Sequence, residues 1–269
     1  MDHKVYLITG ANRGIGLGFV KFYLSGQDNV VIACVRPSQI RAISLQSIPT
    51  GPGSRLVVIP MESDSILSIA QGVHLIKENG ISRIDVVIAN AGISQATCPM
   101  SSVALSDIQR HIEVNAYGPL FLFREVLELL KSSDVPKFVY ISTFAASTGS
   151  VQLMPDVPIG TYGASKALAN YFMRRLSLEN KPICIFSLAP GYVATESALE
   201  HAKDLIPHQE KLQAFPLIST ADSVSQMAGL VSFFQHLLTN SNDWLQIEKA
   251  TTENTNGCFL NYTGEEIPW

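Results

Sequence analysis

The sequence predicts an α/β fold: a doubly wound parallel sheet in a single domain spanning residues 1–269. Three observations carry this reading. Short runs rich in Val and Ile alternate with longer amphipathic stretches. Several of the short runs are apolar without a break, as strands covered on both faces are. The first of them leads into a glycine-rich turn that opens a helix.

The elements follow in order. VYLI (5–8) is the first strand, and a helix is expected over about 14–25. VVIACV (30–35) and RLVVIP (55–60) are the next strands, before a helix over about 63–79 with Asp64 as its expected cap. IDVVIAN (84–90) leads to a long helical stretch at 105–132, and KFVYIS (137–142) to a helix at 162–179. ICIFSLA (183–189), a helix over 221–239 and GCFLNY (257–262) complete the alternation. Repeated strand–helix–strand units build a parallel sheet with helices on both faces. Two stretches break the pattern, 148–161 and 192–220. Both follow strands, so both belong at the carboxyl edge, where open α/β sheets bind ligands. The second is expected to act as a substrate lid.

Composition narrows the function classes. Hydrophobic residues make up 46% and charged residues 16%, enough apolar material for a large core and too little charge for disorder. A net charge of -4 gives no broad basic surface, so neither a nucleic-acid nor an anionic-membrane partner is expected. No run approaches the ~20 apolar residues of a membrane helix. MDHKVYLITG is not a signal peptide, because its apolar run is short and ends in a turn. Cys34, Cys98, Cys184 and Cys258 form no C-x-x-C pair and have no His cluster beside them. Free thiols in a reducing cytoplasm are expected, with no metal site.

The turn after the first strand reads TGANRGIG, with Gly10, Gly14 and Gly16 spaced G-x-x-x-G-x-G. A strand that turns sharply into a helix under a pyrophosphate needs such glycines, and the helix N-terminus offers its N–H groups to the anion. The end of the second strand selects the cofactor. Dinucleotide-binding (Rossmann) folds that use NAD place an acid there for the ribose. This chain has Arg36 instead, with Arg13 in the glycine loop and Arg41 five residues beyond Arg36. A guanidinium fork suits a 2′-phosphate, so NADPH is the expected cofactor.

Further motifs come in a fixed order: N-A-G at 90–92, Asn115 in EVNAYG, YGASK at 162–166 and PGYVAT at 190–195. Together with the glycine turn they make the chain resemble the short-chain dehydrogenase/reductase family over nearly its whole length. The ending GCFLNYTGEEIPW and the segment VIACVRP are similar to a carbonyl-reductase-like and norsolorinic-acid-ketoreductase-like subgroup. The resemblance implies a hydride-transferring reductase of ketones or aldehydes. It implies cofactor contacts from Gly10, Asn12, Arg13, Gly14, Ile15, Gly16 and Arg36, and from Asn90, Ala91 and Gly92 across the site. Pro190, Gly191, Val193 and Thr195 would border the nicotinamide, and Tyr162 and Lys166 its ribose. A catalytic set of Asn115, Thr143, Tyr162 and Lys166 is implied as well.

The chemistry asks for these residue types. Carbonyl reduction needs a proton for oxygen, and a free phenol with a pKa of about 10 gives it up too slowly. An ammonium nearby lowers that value, and residues i and i+4 share a helix face, so Tyr162 and Lys166 can act together. The resemblance gives Asn115 a water that links the lysine to solvent. A hydroxyl must hold the substrate oxygen. YISTFAAS offers Thr143 at the family's usual serine position, with Ser142 one before it. Strand alternation lets only one face the substrate, and Thr143 is preferred.

Met61 stands where the family has an acid that meets adenine. His111, four residues before Asn115, reads as an ordinary, partly exposed helix histidine. His201 and His208, with Asp204 and Glu210, read as solvated loop residues. Met100, Phe144, Met154, Leu199 and Phe215 suggest a small-molecule carbonyl substrate that is apolar or aromatic. Association is open between a homodimer and a monomer. Two other readings stand beside the reductase. One is a catalytically inactive NADP-binding regulator, and the other is an epimerase or dehydratase on the same scaffold.

Overall fold

The computed structural model describes residues 3–40, 45, 47–95, 98–154, 157–196, 198, 216–236 and 255–269. Its centre is a seven-stranded sheet, every pair of which is parallel. In chain order the strands are β1 (Lys4–Thr9), β2 (Asn29–Val35), β3 (Arg55–Pro60), β4 (Val86–Ala89), β5 (Lys137–Ile141) and β6 (Cys184–Ala189). A short pair, β7 (Tyr192–Val193) and β8 (Leu217–Ile218), stands apart, and β9 (Phe259–Asn261) joins the main sheet beside β6. The spatial order β3-β2-β1-β4-β5-β6-β9 reverses direction at β1 and β4. The crevice beyond that switch point is where such sheets take ligands.

Alternation along the strands sets the two layers. Val5, Leu7, Ile32, Val87 and Phe138 face one way and pack on α2 (Ile66–Glu78), α4 (Gly118–Lys131) and α5 (Gly160–Glu179). Tyr6, Ile8, Val31, Val139 and Phe186 face the other way and pack on α1 (Gly14–Leu24) and α6 (Thr220–His236). Each such side chain contributes roughly 1.5–3 kcal/mol on burial. Both faces are covered, which explains why these strands read as continuous apolar runs.

Three local details depart from the sequence reading. Helix α2 starts at Ile66, and Ser65 rather than Asp64 caps it, its Oγ accepting from Ser68 N at 3.2 Å. Asp64 lies one residue too early to reach that amide. The stretch expected as one helix over 105–132 is α3 (Leu105–Ile112), a π-turn (Glu113–Tyr117) and then α4. The tyrosine helix α5 begins at Gly160, two residues ahead of Tyr162.

The 192–220 stretch opens with β7 and closes with β8, paired Tyr192 to Leu217 and Val193 to Ile218. Arg41, Leu199, Phe215, His201, Asp204, His208 and Glu210 lie outside the described residues. Among the described residues, no helix is long and apolar enough to cross a membrane. The four cysteines are free, and no three His, Cys, Asp or Glu side chains among the described residues gather as metal ligands would.

Candidate active site

The carboxyl edge at β1 is shaped by backbone crowding. Gly10 and Gly14 have φ of 62° and 54°, in the left-handed region that favours glycine. A Cβ on Gly16 would sit 2.2 Å from the carbonyl oxygen of Gly10, so no larger residue fits at that position. Opposite, Thr9 Oγ1 accepts from the amides of both Asn90 and Ala91 at 3.0 Å. Asn90 Nδ2 returns a bond to Thr9 O at 2.9 Å. Thr9, which sequence reasoning did not single out, thus ties the glycine turn to N-A-G. Thr195 comes to the same place: a Cβ on Gly14 would lie 3.4 Å from its Cγ2. The first and last motifs therefore meet across the crevice.

This cradle fits a dinucleotide. Its floor is glycine backbone, its wall is a helix N-terminus, and its rim carries cations. Arg13 and Arg36 are both exposed, and no carboxylate among the described residues forms an ion pair with either. Arg36 Nε donates to Gln39 Oε1 at 3.3 Å. Asn12 and Ile15 are half-buried in the loop between Gly10 and Gly16. Met61 is buried, its amide donating to Val35 O at 2.8 Å, so an apolar side chain occupies the end of β3.

The candidate catalytic residues gather between α3, β5 and α5. Asn115 lies in the π-turn, and such turns recur at functional sites. Its Oδ1 accepts from Ile93 N (2.9 Å), while its Nδ2 donates to Ile93 O (2.8 Å) and Ser165 Oγ (3.0 Å). Its main-chain carbonyl accepts from the Tyr140 hydroxyl at 2.8 Å. Tyr140 also carries Lys166 Nζ 4.6 Å from its ring centroid. The signal for Tyr140 was there, a phenol in the middle of a buried strand (KFVYI), but nothing in the spacing tied it to the site. Lys166 Nζ donates to Ile141 O (2.8 Å) and lies 5.9 Å from the Tyr162 ring centroid. Gly92 closes the group, since a Cβ there would meet Asn115 Oδ1 at 3.0 Å and Lys166 Nζ at 3.3 Å.

Burial governs the charges. It pushes the Tyr162 phenol up to about 12, and a hydrogen bond with Thr143 opposes part of that rise. Burial pulls the Lys166 ammonium down to about 7. The protein alone therefore holds a neutral phenol beside a lysine that is only partly charged at neutral pH. The lowering of the phenol expected from Lys166 is outweighed here by desolvation of both groups. The two hydroxyls that follow β5 have different surroundings. Thr143 Oγ1 accepts from Ala145 N at 3.3 Å and lies close enough to the Tyr162 phenol to hold its pKa down, whereas buried Ser142 turns to the other side and donates to Asn170 Oδ1 at 2.8 Å.

The surrounding walls are also placed. Pro190 O accepts from buried Ser223 Oγ at 2.7 Å, and Gly191 (φ 81°) passes so close to Tyr262 that a Cβ would lie 2.6 Å from its ring. Val193 is buried in the β7–β8 pair, and Thr195 Oγ1 accepts from Ala198 N at 3.1 Å. The segment after Thr143 is held from far away in sequence. Gly149 N and Thr148 Oγ1 donate to Trp269 O (2.8 and 2.9 Å), and Ser147 Oγ donates to Pro268 O. The Trp269 ring packs on Phe259 at 5.7 Å and under the Arg174 guanidinium at 5.9 Å.

Of the expected substrate-pocket residues, Met100 and Met154 line an apolar cavity of about 330 Å³ together with Val151, Val157 and Ile159. Gly160, Gly163, Ala164 and Ala167 form its helical wall, a stripe turned away from Tyr162 by helix geometry. Phe144 packs instead with Phe259 and Ile267. His111 corrects the sequence reading. It is buried, with Nδ1 2.7 Å from Asp107 O and Nε2 accepting from Gln95 N at 3.2 Å.

A doubly wound sheet with a glycine cradle at its switch point and a Tyr/Lys/Asn group beside it defines a dinucleotide-dependent oxidoreductase. The chain belongs to the short chain dehydrogenase family, whose model matches residues 4–205. It is 40% identical to "Short chain dehydrogenase gsfK" of Penicillium aethiopicum, over 98% of each chain. It is 32% identical to norsolorinic acid ketoreductase of Aspergillus parasiticus, covering all of this chain and 92% of that one. Among solved structures it is similar to the NADPH-bound carbonyl reductase from chicken fatty liver. The TM-score is 0.78 at 25% identity, covering 100% of this chain and 95% of that chain.

Proposed function

We propose that the protein is an NADPH-dependent ketoreductase working in the cytoplasm on an apolar or aromatic carbonyl compound. The observation that carries this reading is Lys166 Nζ held by Ile141 O and 5.9 Å from the Tyr162 ring centroid, at the edge of a cradle rimmed by Arg13 and Arg36. Bound NADPH supplies the hydride. The residues of the chain handle the rest. Thr143 and Tyr162 present two hydroxyls to one carbonyl oxygen, which holds the substrate and polarises it. Tyr162 starts as a neutral phenol, the form a proton donor must have, and gives its proton to the developing alkoxide. Lys166, which titrates near neutrality, stabilises the phenolate left behind and can recover a proton. Asn115 fixes the lysine's surroundings through Tyr140 and Ser165. Arg36 and Arg13 recognise the 2′-phosphate, and the 192–220 stretch covers the bound substrate.

The name of the Aspergillus relative, norsolorinic acid ketoreductase, and the NADPH in the chicken enzyme support this reading. The complete Tyr162/Lys166 pair speaks against the inactive regulator. The test is reduction of a panel of aryl ketones with each cofactor, followed by absorbance. Wild type should use NADPH far better than NADH in kcat/KM. Arg36→Ala should cost about 10- to 100-fold with NADPH, the worth of charge-assisted hydrogen bonds to a phosphate, and change the NADH rate little. Equal use of both cofactors by wild type would overturn the assignment.

A further inference from the structure

The segment 93–95 leads out of N-A-G and is held by one helix at two points. Asn115 makes two hydrogen bonds to the backbone of Ile93. One turn earlier, His111 Nε2 accepts from the amide of Gln95. His111 in α3 and Asn115 in the π-turn that follows thus both bond the same short segment. That segment leads on from Gly92, where Lys166 and Asn115 approach. Further along the chain, Met100 Sδ accepts from Thr161 Oγ1 at 3.7 Å, next to Tyr162.

The chemistry of His111 is specific. Gln95 itself is exposed, yet the imidazole that holds its amide is almost fully buried. Nε2 must be unprotonated to accept the Gln95 N–H, which leaves Nδ1 as the protonated nitrogen, donating to Asp107 O. Both nitrogens are thus used, and no proton or lone pair is left for substrate. The bond is part-buried and joins the helix to a loop amide 16 residues away in the chain, so satisfying the buried imidazole also fixes the loop. We infer that His111 is a positioning residue for substrate: through Gln95 it sets the course of the 93–95 segment, and through that segment the affinity for the carbonyl compound.

This inference rests on the reductase reading, so its test has an arm that does not depend on activity. In His111→Leu the Gln95 amide should lose its protection from hydrogen exchange. The KM for an aryl ketone should rise about tenfold, the worth of one buried hydrogen bond, while kcat and the Kd for NADPH change less than threefold. In His111→Gln the Oε1 atom can again accept the amide, and both protection and KM should return to within threefold of wild type. Gln95→Pro removes the donor without touching the helix and should reproduce the KM rise with His111 intact, which covers the case of a leucine variant that folds poorly. Unchanged exchange at Gln95 in His111→Leu overturns the staple. Faster exchange with an unchanged KM overturns its role toward substrate. Should wild type reduce no ketone at all, the reductase reading fails, and a binding titration with the same ketone replaces KM in deciding the inference.

Discussion

The two sides of the crevice are built by different means. On the cofactor side, Gly10 and Gly16 meet by close backbone packing, and Thr9 and Asn90 tie the turns together by side chain-to-backbone bonds a few residues from the glycines. There the residue type at each position is dictated by space: a Cβ on Gly16 has nowhere to go. On the substrate side, the 147–149 segment and residues 93–95 are held by side chains and by chain 121 residues away. There many sequences could satisfy the same hydrogen bonds. A reductase that keeps its cofactor while changing its ketone would use this division. The proposed reacting group, Thr143, Tyr162, Lys166 and Asn115, stands on the seam.

The sharpest way to break the comparison is at the crowded side. Gly16→Ala should abolish measurable NADPH binding, a loss above about 100-fold, in a cofactor fluorescence titration, because methyl and carbonyl cannot share 2.2 Å. Gly229→Ala is the control. It lies in α6 with nothing within 4 Å of an added Cβ, and should bind NADPH normally with a stability gain of up to about 1 kcal/mol. Equal effects from the two would erase the distinction.

At the seam, Thr143→Ala should lower kcat by about 10²–10³-fold, the usual cost of one oxygen-holding donor. Ser142→Ala should leave kcat within a few-fold and lower the melting temperature, since it strips a buried bond from Asn170. The reverse pattern would mean that the hydroxyl facing substrate is Ser142.

A smaller effect should appear in stability against pH. Lys166 has a pKa near 7 in the fold and 10.5 when free, so between those values the unfolded chain binds more protons. Stability therefore rises as pH climbs from about 7 to 10.5, and below 7 the burial penalty stands in full. Lys137, pulled down by burial to about 8, adds a slope of its own higher in the same window. Lys166→Met should raise the urea midpoint of the cofactor-free protein at pH 6.5 and flatten the part of the slope near 7, while removing activity. A variant less stable than wild type at pH 6.5 would show that the buried lysine holds the site together rather than straining it.

The same division explains what the sequence revealed. All seven strands of the sheet were legible, because continuous apolar runs and glycine turns are local consequences of burial and sterics. The glycine cradle and the Tyr162/Lys166 pair were legible for a related reason: their spacing is their geometry. Thr143 could be preferred to Ser142 only by aligning the strand, because two adjacent hydroxyls look alike until their partners, Ala145 N for one and Asn170 for the other, are placed. His111 was misjudged because its partner, Gln95, lies on a loop whose path no periodicity encodes. Tyr140 escaped notice for the same kind of reason, its partner being a main-chain carbonyl freed within a π-turn. Asp64 was preferred to Ser65 as a cap because two adjacent residues of capping type look alike until the first turn is placed.

The bonds from residues 147–149 to Pro268 and Trp269 have a consequence for how the protein is made. A chain leaves the ribosome N-terminus first, at roughly 5–20 residues per second. The glycine cradle can close once β4 has emerged. The segment beside Thr143 gains its acceptors only after residues 268 and 269 have followed it out, 121 positions later. For on the order of ten seconds at that pace, the nascent protein can shape its cofactor cradle before the wall beside Thr143 is fastened.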